Sequence, residues 1–335
     1  MNLPNVSFVI ATYNGKRDLD KCLNTIYNQD YPKDKLEVVM VDGGSTDGTL
    51  KLADKYPVKL LHNKYKVQEG KYMGKYQGVN AATGEFIVLV DQDNFLIGND
   101  WLKGMLQPFF DDSTIAVSGS QLAVVKSDSL TNRYLSLVGT DPFAVYRSLE
   151  GKMALGLLDK PLEKKQGYYI YYMDSENQIC AGNNGYVYRK SDFDAIGGYD
   201  QDVEVLARLS KLGKNKLAIP FKPRLHHYTA TGFFKFLNKR VYWGYYYLAF
   251  NTSNRGYSWL PKNENEKLVF WKYILFNLLI LRNMLVAVKH AIKDREIAWL
   301  MHPWGMFLIT LIYIIGVVIT PEGIGFTNRF LFKRS

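Results

Sequence analysis

The sequence contains too few cysteines for the scaffolds that stabilise many small secreted proteins. Cys22 and Cys180 are the two cysteines among its 335 residues, which excludes a disulfide framework and a cysteine-rich zinc site. Charged residues make up 22% of the chain and hydrophobic residues 47%, so its composition is that of a folded protein. A chain of this length forms one large domain or two smaller ones.

Acidic residues are scarce in one part of the chain. Residues 1–221 carry 26 Lys and Arg against 27 Asp and Glu, whereas residues 222–303 carry 13 against 4. The net charge of +10 therefore arises in the C-terminal third, which also holds the most apolar segments. A basic region beside apolar segments is typical of contact with an anionic membrane surface, and it disfavours nucleic acid as the partner.

The N-terminal region lacks a long hydrophobic run. Its first apolar run, residues 6–11, is too short for the core of a signal peptide, and no basic residue precedes it. We interpret this run as a buried strand, and we expect the domain that contains it to stay in the cytoplasm.

Two C-terminal segments are apolar enough to contact a membrane. Residues 299–320 contain no acidic or basic residue except His302, and they predict one transmembrane helix about 33 Å long. A buried core helix is the alternative. Residues 268–293 place basic and apolar side chains on opposite sides of a helix, which predicts an amphipathic helix in the membrane interface. A second transmembrane helix in this segment stays open.

Strand and helix patterns alternate over the first ninety residues. Apolar runs predict strands at 6–12, 36–41, 58–61 and 86–90, and apolar residues at helical spacing predict helices at 17–27, 47–55 and 72–82. This order predicts an α/β fold with a mostly parallel sheet that helices cover on both faces.

Polar residues follow three of these strands where each strand ends. The stretches are Thr12-Tyr13-Asn14-Gly15, Asp42-Gly43-Gly44-Ser45 and Asp91-Gln92-Asp93-Asn94. Because such sheets bind ligands at the carboxyl ends of their strands, we expect these residues to meet at one edge. Carboxylates directly after a buried strand are costly unless a cation or ligand neutralises them, and a simple polar turn is the alternative.

Four segments resemble the inverting glycosyltransferases of family 2, whose fold is called GT-A. They are ATYNG at 11–15, VDGGSTDGT at 41–49, GVNAATGEFIVLVDQDN at 78–94 and AGNNGYVYRKSDFDAIGGYDQDVEVLARLSKLG at 181–213. They follow the order and approximate spacing of the family. A single Asp-x-Asp is weak evidence, whereas four segments in register are specific.

The resemblance implies a nucleoside diphosphate sugar as donor, with a UDP-sugar favoured, and Mg²⁺ or Mn²⁺ as cofactor. Asp93 matches a metal ligand of the family, Asp91 a ligand of the ribose or the metal, and Asp42 a contact of the nucleobase. A cation neutralises the charge that develops on a diphosphate leaving group. The other implied donor contacts are Thr12, Tyr13, Asn14, Gly44, Lys71 and Gln92. Lys75 is a second candidate for the phosphates, and a solvated lysine is the alternative for both.

The resemblance also implies a catalytic base. Residues 201–209 correspond to the motif Glu-Asp-x-(Asp/Glu)-Leu-x-x-Arg-Leu, from which Gln201 and Val205 depart. Asp202 takes the position of the base, and Glu204 stays an alternative because of these departures. In an inverting transfer, the base accepts the proton of the acceptor oxygen as that oxygen attacks the anomeric carbon.

Further site residues follow from the same resemblance. Gly182, Asn183 and Asn184 form an acceptor-side loop, and Arg240 resembles a downstream basic residue that reaches the diphosphate. His226 and His227 offer an imidazole to the metal, with His226 slightly favoured, and a surface histidine is the alternative for each.

These inferences predict four segments. They are a GT-A catalytic domain over 1–221, membrane-interface helices over 222–298, a transmembrane helix over 299–320 and a tail over 321–335. We expect transfer of a sugar to a lipid-linked acceptor, such as a polyprenyl phosphate, at the cytoplasmic face of the cell membrane. The oligomeric state stays open.

Three alternative functions receive less support from the sequence. A processive polysaccharide synthase needs several transmembrane helices and a Gln-x-x-Arg-Trp motif, which this sequence lacks. A nucleotidyltransferase carries a glycine-rich signature ending in Arg or Lys near the first strand, and none is present. An inactive membrane scaffold of the same fold has no need of Asp42, Asp91, Asp93 and Asp202.

Overall fold

Two units make up the chain in the computed structural model. Residues 1–123 and 158–227 form the sheet unit, and residues 124–157 and 228–335 form the helical unit. The structure describes residues 3–64, 71–139, 141–176, 179–182, 184–230, 232–250 and 264–319, together with residues 321 and 324.

All described strands lie in the sheet unit. They are β1 Val6–Thr12, β2 Leu36–Asp42, β3 Lys59–His62, β4 Phe86–Asp91, β5 Asn94–Ile97, β6 Ile115–Ser118, β7 Gln121–Leu122, β8 Glu163–Lys164, β9 Tyr168–Tyr172, β10 Tyr186–Arg189, β11 Lys216–Pro220 and β12 Arg224–His227. Nine of them form one sheet in the order β3-β2-β1-β4-β10-β6-β11-β9-β8, and the other three form a small sheet in the order β5-β12-β7.

The predicted parallel sheet is confirmed for the first four strands of the large sheet. The neighbours β3, β2, β1 and β4 all pair in parallel. Every residue of β1 is buried, and five of the six residues of β4 are buried, as expected for strands covered on both faces. β10 then joins β4 in the antiparallel direction, so the sheet is mixed beyond its first four strands.

The helices follow the predicted order in the first ninety residues. The structure has α1 Leu19–Tyr27, α2 Thr49–Ala53, α3 Gly74–Ala81, α4 Trp101–Asp111, α5 Leu130–Val138, α6 Leu149–Leu155, α7 Lys190–Ala195, α8 Asp202–Lys211, α9 Phe233–Phe250, α10 Glu264–Leu278, α11 Ile280–Lys293 and α12 His302–Ile319. α2 is shorter than predicted because Gly48, with a φ of +95°, occupies its N-cap. The Asp47 carboxylate accepts a hydrogen bond from the first helical N–H, that of Thr49.

The helical unit has its own hydrophobic core. Tyr134, Leu135 and Val138 of α5 pack with Trp299 and other apolar side chains from the C-terminal helices. Residues 124–157 therefore pack with the C-terminal helices, although the sequence places them in the first domain. Their apolar residues give no sign in the sequence of which element will cover them.

The predicted amphipathic helix over 268–293 is two helices. α10 and α11 meet at an angle of 72° around Leu279, whose ψ of +88° is not helical. The buried Asn283 amide donates hydrogen bonds to the carbonyls of Phe276 and Asn277, at 3.0 and 3.2 Å. These bonds satisfy carbonyls that lose their helical partners at the break, which a helical wheel does not reveal.

α11 turns an apolar stripe outward. Leu281, Leu285 and Ile292 are 83%, 75% and 74% exposed, whereas Asn283 and His290 are buried. The polar side of the predicted amphipathic helix is thus partly buried, and its apolar side is exposed.

One helix among the described residues is long and apolar enough to cross a membrane. It runs over 20 residues, Ile297–Gly316, and combines a 3-10 turn with most of α12. This helix overlaps the predicted span of 299–320 over residues 299–316 and begins two residues before it; Thr320 lies outside the described residues. α10 and α11 meet the same criterion only as a bent pair.

Candidate active site

The carboxyl ends of three parallel strands meet at one edge of the sheet. The register places Thr12 of β1 beside Asp42 of β2, and Ala11 beside Asp91 of β4. The three polar stretches that follow these strands are therefore neighbours, as the sequence predicts.

Hydrogen bonds join the loops at this edge. The Asn14 N–H donates to Ser45 Oγ at 2.8 Å, and Asn14 Oδ1 accepts from the Thr46 N–H at 2.9 Å. On the other side, the Thr12 hydroxyl donates to Gln92 Oε1. The loops after β1, β2 and β4 thus form one connected rim.

Asp42 and Gly44 shape the loop after β2. Asp42 is buried, and its Oδ2 accepts hydrogen bonds from the N–H groups of Gly44 and Ser45 at 2.8 and 2.9 Å. Gly44 has a φ of +87°, which favours glycine. Tyr13 lies exposed at the rim, and its N–H donates to Gln92 Oε1 at 3.2 Å. A contact between Asp42 and a nucleobase stays a prediction.

Asp91, Asp93 and His227 form a group suited to a metal ion. One potential ligand atom from each lies within 4.8 Å of the others. Asn94 orders the pair of acids, since its Oδ1 accepts from the Asp91 N–H at 2.9 Å and its Nδ2 donates to Asp93 Oδ1 at 3.2 Å. Two carboxylates and an imidazole match the ligand preferences of Mn²⁺, and the oxygen ligands also suit Mg²⁺.

His227, and not the favoured His226, belongs to this group. β12 pairs with β5 so that His227 lies beside Asn94, and its Nε2 is 3.5 Å from Asp93 Oδ1. Successive side chains of a strand point to opposite faces. His226 is therefore directed away and packs against the Phe95 ring, with a centroid separation of 5.3 Å. Among the described residues, His227 and not His226 thus joins the two acids, and a metal contact of either imidazole stays a prediction.

Lys75 is the basic residue at the centre of the site. Its side chain is fully buried, and its Nζ lies 3.3 Å from Asp91 Oδ1 and 3.3 Å from Asp202 Oδ2. It also donates a hydrogen bond to Asn184 Oδ1 at 3.1 Å. The donor-side and acceptor-side carboxylates are thus joined through one ammonium group.

The sequence alone favoured Lys71 over Lys75. Lys71 is exposed, and its N–H donates to Asp200 Oδ1 at 3.2 Å. The signal for Lys75 is its place one turn before Val79, on the buried face of α3. Gly78 lets this face approach β1 closely, because a Cβ there would lie 2.4 Å from Val9 Cγ1.

The acceptor-side loop closes onto the start of α8. Gly182 has a φ of +114°, and a Cβ on it would lie 2.5 Å from the Asp202 carbonyl oxygen. Asn184 Nδ2 donates to Asp91 Oδ2 at 2.6 Å, so the loop also reaches the donor side. Asn183 lies outside the described residues.

Asp202 and Glu204, the two candidates for the base, have different surroundings. Asp202 Oδ1 accepts a hydrogen bond from the Tyr199 hydroxyl at 2.9 Å, and its Oδ2 faces Lys75. Glu204 is buried on α8, with a carboxylate oxygen 3.9 Å from Arg208 Nε. Asp202 contacts Lys75, which also contacts Asp91.

The site shifts the pKa values of its two central acids in opposite directions. Burial favours the protonated form of Asp91, but Lys75, His227 and the hydrogen bond from Asn184 outweigh it and lower its pKa. Burial raises the pKa of Asp202, the charge of Asp91 adds to this rise, and Lys75 only partly offsets it. Asp202 is therefore the better proton acceptor of the two.

Arg240, predicted to reach the diphosphate, lies on α9 in the helical unit. Its Nη1 is 3.2 Å from Asp141 Oδ2, and its guanidinium packs over the Phe236 ring. Its proposed contact with the donor stays a prediction.

Comparison with known proteins identifies the family of the chain. Residues 7–196, more than half of the chain, match the model of a family described as glycosyl transferase family 2. The matched region contains β2 to β4, all of β1 except Val6, and the acids Asp42, Asp91 and Asp93. The chain belongs to glycosyl transferase family 2.

Individual relatives are similar over shorter segments. Glycosyltransferase AglE of Haloferax volcanii is 35% identical over 94 residues, which are 27% of this chain and 31% of that protein. A dolichyl N-acetyl-α-D-glucosaminyl phosphate glucuronosyltransferase of Methanococcus voltae is 32% identical over 108 residues, 31% of this chain and 33% of that protein. The aligned segments span about a third of the length of these curated relatives.

A solved structure shares the fold. The mannosyltransferase PcManGT from Pyrobaculum calidifontis, in complex with GDP-Man and Mn²⁺, superposes with a TM-score of 0.52 and 16% identity. The superposition covers 93% of this chain and 87% of that chain. The expected GT-A fold is thereby confirmed.

We expect Lys75→Ala to destabilise the sheet unit. Removing the ammonium leaves Asp91 and Asp202 close together in a buried site, and breaking a buried ion pair costs about 3 to 5 kcal/mol. Urea unfolding measures the free energy of unfolding. Lys55→Ala, which removes a lysine that is 61% exposed, is the control and should change it by less than about 0.5 kcal/mol. Equal effects of the two substitutions would contradict the central role of Lys75.

We expect Asp93→Asn and His227→Ala each to weaken Mn²⁺ binding by about tenfold or more, because each removes one ligand. Titration of the purified chain with Mn²⁺, followed by electron paramagnetic resonance, measures the affinity. His226→Asn should keep the affinity within about twofold, since His226 lies on the other face of β12. A greater loss of Mn²⁺ affinity with His226→Asn than with His227→Ala would instead identify His226 as the metal ligand.

Proposed function

We propose that the chain is an inverting glycosyltransferase that moves a sugar from a nucleoside diphosphate sugar to a lipid-linked acceptor at a membrane. A UDP-sugar is the favoured donor. The observation that carries this proposal is the contact of one buried lysine, Lys75, with both Asp91 and Asp202. The carboxylate predicted for the donor and the carboxylate predicted for the acceptor thus belong to one site.

Asp91, Asp93 and His227 would hold Mg²⁺ or Mn²⁺ beside the donor diphosphate. Asp91 Oδ1 supports this role, because it is buried and, apart from the ion pair with Lys75 Nζ at 3.3 Å, has no hydrogen-bond partner among the described residues. A bound divalent cation neutralises negative charge that develops on the leaving diphosphate. The rim residues Thr12, Tyr13, Asn14, Asp42, Gly44 and Gln92 are proposed to bind the nucleoside.

Asp202 is the proposed base. As the acceptor oxygen bonds to the anomeric carbon, the bond to the diphosphate breaks, and the proton of the acceptor hydroxyl passes to Asp202 Oδ1 or Oδ2. Burial, which raises the pKa of Asp202, brings it closer to neutral pH and favours this transfer. When the acceptor atom is a phosphate oxygen, it is already anionic, and Asp202 then orients it.

A lipid-linked acceptor fits the helical unit. The exposed leucines of α11 cost free energy in water, about 1.5 to 3 kcal/mol for each side chain that a membrane would bury. Exposed lysines follow these leucines at 289 and 293, as in helices that lie in an anionic interface. The Methanococcus voltae relative is named for a dolichyl-linked substrate.

A panel of nucleotide sugars is incubated with the purified chain and Mn²⁺. We expect the chain to transfer or hydrolyse the sugar of at least one of them, and we expect a chelator to abolish this activity. Asp202→Asn should lower kcat by about a hundredfold or more and leave donor affinity nearly unchanged. Glu204→Gln, a matched change two residues along α8, should lower kcat by much less. The reverse order of the two effects would move the base to Glu204, and no turnover of any donor would reject the function.

We expect the exposed stripe of α11 to bind lipid bilayers. The double variant Leu281→Lys, Leu285→Lys should reduce co-sedimentation with vesicles of phosphatidylglycerol and phosphatidylcholine by about tenfold or more, because two charges would enter the hydrocarbon boundary. Leu212→Lys is the control, since Leu212 is 55% exposed in the sheet unit. Membrane attachment through α11 is wrong if the double variant and the Leu212→Lys control sediment with the vesicles equally.

A further inference from the structure

The helical unit buries polar atoms that lack a well-formed hydrogen bond to the described residues. These atoms are the Tyr273 hydroxyl, both polar atoms of the Asn277 amide and Arg282 Nη1, although the Asn277 amide lies near enough to the Tyr273 hydroxyl to interact with it. Asn277 is fully buried. Buried polar groups are nearly always hydrogen-bonded in proteins, so an unsatisfied group of this kind needs an explanation.

These three side chains lie close together at the bend between α10 and α11. Tyr146 contacts two of them, with its ring centroid 5.3 Å from Arg282 Cζ and 6.4 Å from the Tyr273 ring centroid. Asn277 lies one helical turn after Tyr273. The Asn277 carbonyl accepts a hydrogen bond from Asn283, which directly follows Arg282. The unsatisfied atoms therefore share one region of the unit.

The Arg282 charge is not balanced by an acid. The guanidinium packs over the rings of Phe276 and Tyr146, and no described carboxylate forms an ion pair with it. Asp141, the acid that acts on the nearby tyrosines, already binds Arg240 Nη1 at 3.2 Å and the Tyr313 hydroxyl at 3.1 Å. Arg282 is half-buried, and a partly desolvated charge without an acidic partner favours an anionic ligand.

The donors in this region define the chemistry of that ligand. A guanidinium, a phenol hydroxyl and an amide NH₂ all donate hydrogen bonds, and Arg binds planar or tetrahedral oxyanions with two parallel N–H groups. Arg147, a second positive charge, acts electrostatically on Tyr273. Phosphate and diphosphate groups fit this set.

The surroundings also favour a phosphate that belongs to a lipid. Leu281 precedes Arg282, and Leu285 follows it by three residues; both are largely exposed. A prenyl chain attached to the phosphate would thus meet apolar side chains directly beside the charged group.

We propose that Tyr273, Asn277 and Arg282 form a binding site for the phosphate or diphosphate group of a prenyl lipid. This proposal rests on the proposed function, because the lipid would be the acceptor or its carrier. The site is separate in the chain from the metal group Asp91, Asp93 and His227.

The first test uses inorganic pyrophosphate and the full chain in chelator, so that no metal-dependent binding contributes. Calorimetry should detect binding, and Arg282→Gln should weaken it by about tenfold or more. Asn277→Asp, a change of equal size that adds a negative charge, should weaken it similarly. Lys235→Gln, on an exposed lysine of α9, should leave the affinity within about twofold.

If Arg282→Gln does not fold, Arg282→Lys provides the second variant, since it keeps the charge and loses the paired N–H groups. It should bind pyrophosphate more weakly than the unmodified chain. Unchanged affinity in the Arg282 and Asn277 variants, or no binding by the unmodified chain, would overturn the site.

The second test distinguishes a lipid phosphate from a free one. Vesicles of phosphatidylcholine carry either a prenyl phosphate or the corresponding prenyl alcohol, and the difference in bound protein is measured. We expect the unmodified chain to prefer the phosphate vesicles by about fivefold or more, and Arg282→Gln to lose this preference. Pyrophosphate binding without such a preference would reject the assignment to a lipid.

The same assay separates failure of this site from failure of the proposed function. Asp202→Asn should retain the preference for prenyl phosphate vesicles, because Asp202 lies outside the proposed site. A chain that binds these vesicles and turns over no nucleotide sugar would refute the function and keep the site. A chain that turns over nucleotide sugar and ignores the prenyl phosphate would refute the site and keep the function.

Discussion

One buried ammonium group determines how the site of this protein is arranged. Asp91 and Asp202 come from parts of the chain that are 111 residues apart, and Lys75 lies within 3.3 Å of both. Two carboxylates repel each other strongly in a buried place, so they approach this closely only because a positive charge lies between them. Asn184 completes the arrangement by binding Lys75 and Asp91 at once.

The sheet supplies the positions on which this ion group depends. In-register pairing of β1, β2 and β4 brings the three polar strand ends to one edge. The small sheet adds His227, since β12 runs antiparallel to β5, which begins directly after Asp93. Asp91 and His227 thus lie on strands of the two sheets, and Asp93 lies in the short turn that joins β4 to β5.

Much of this architecture is readable from the sequence, and the failures have physical causes. Buried parallel strands are continuous apolar runs, so β1 to β4 and their meeting edge were predictable. His226 and His227 differ by one residue, and choosing between them requires the pairing register of β12. Lys75 is indistinguishable from a surface lysine until α3 is placed on β1. The break at Leu279 depends on hydrogen bonds from Asn283, which no periodicity reports.

The close approach of Gly182 to the Asp202 backbone has a consequence for substitutions at position 182. A Cβ there would lie 2.5 Å from the Asp202 carbonyl oxygen, so a side chain at 182 and the first turn of α8 could not both keep their places. The φ of +114° adds backbone strain for any other residue. A replacement of this glycine would therefore shift the backbone of Asp202 without touching its carboxylate.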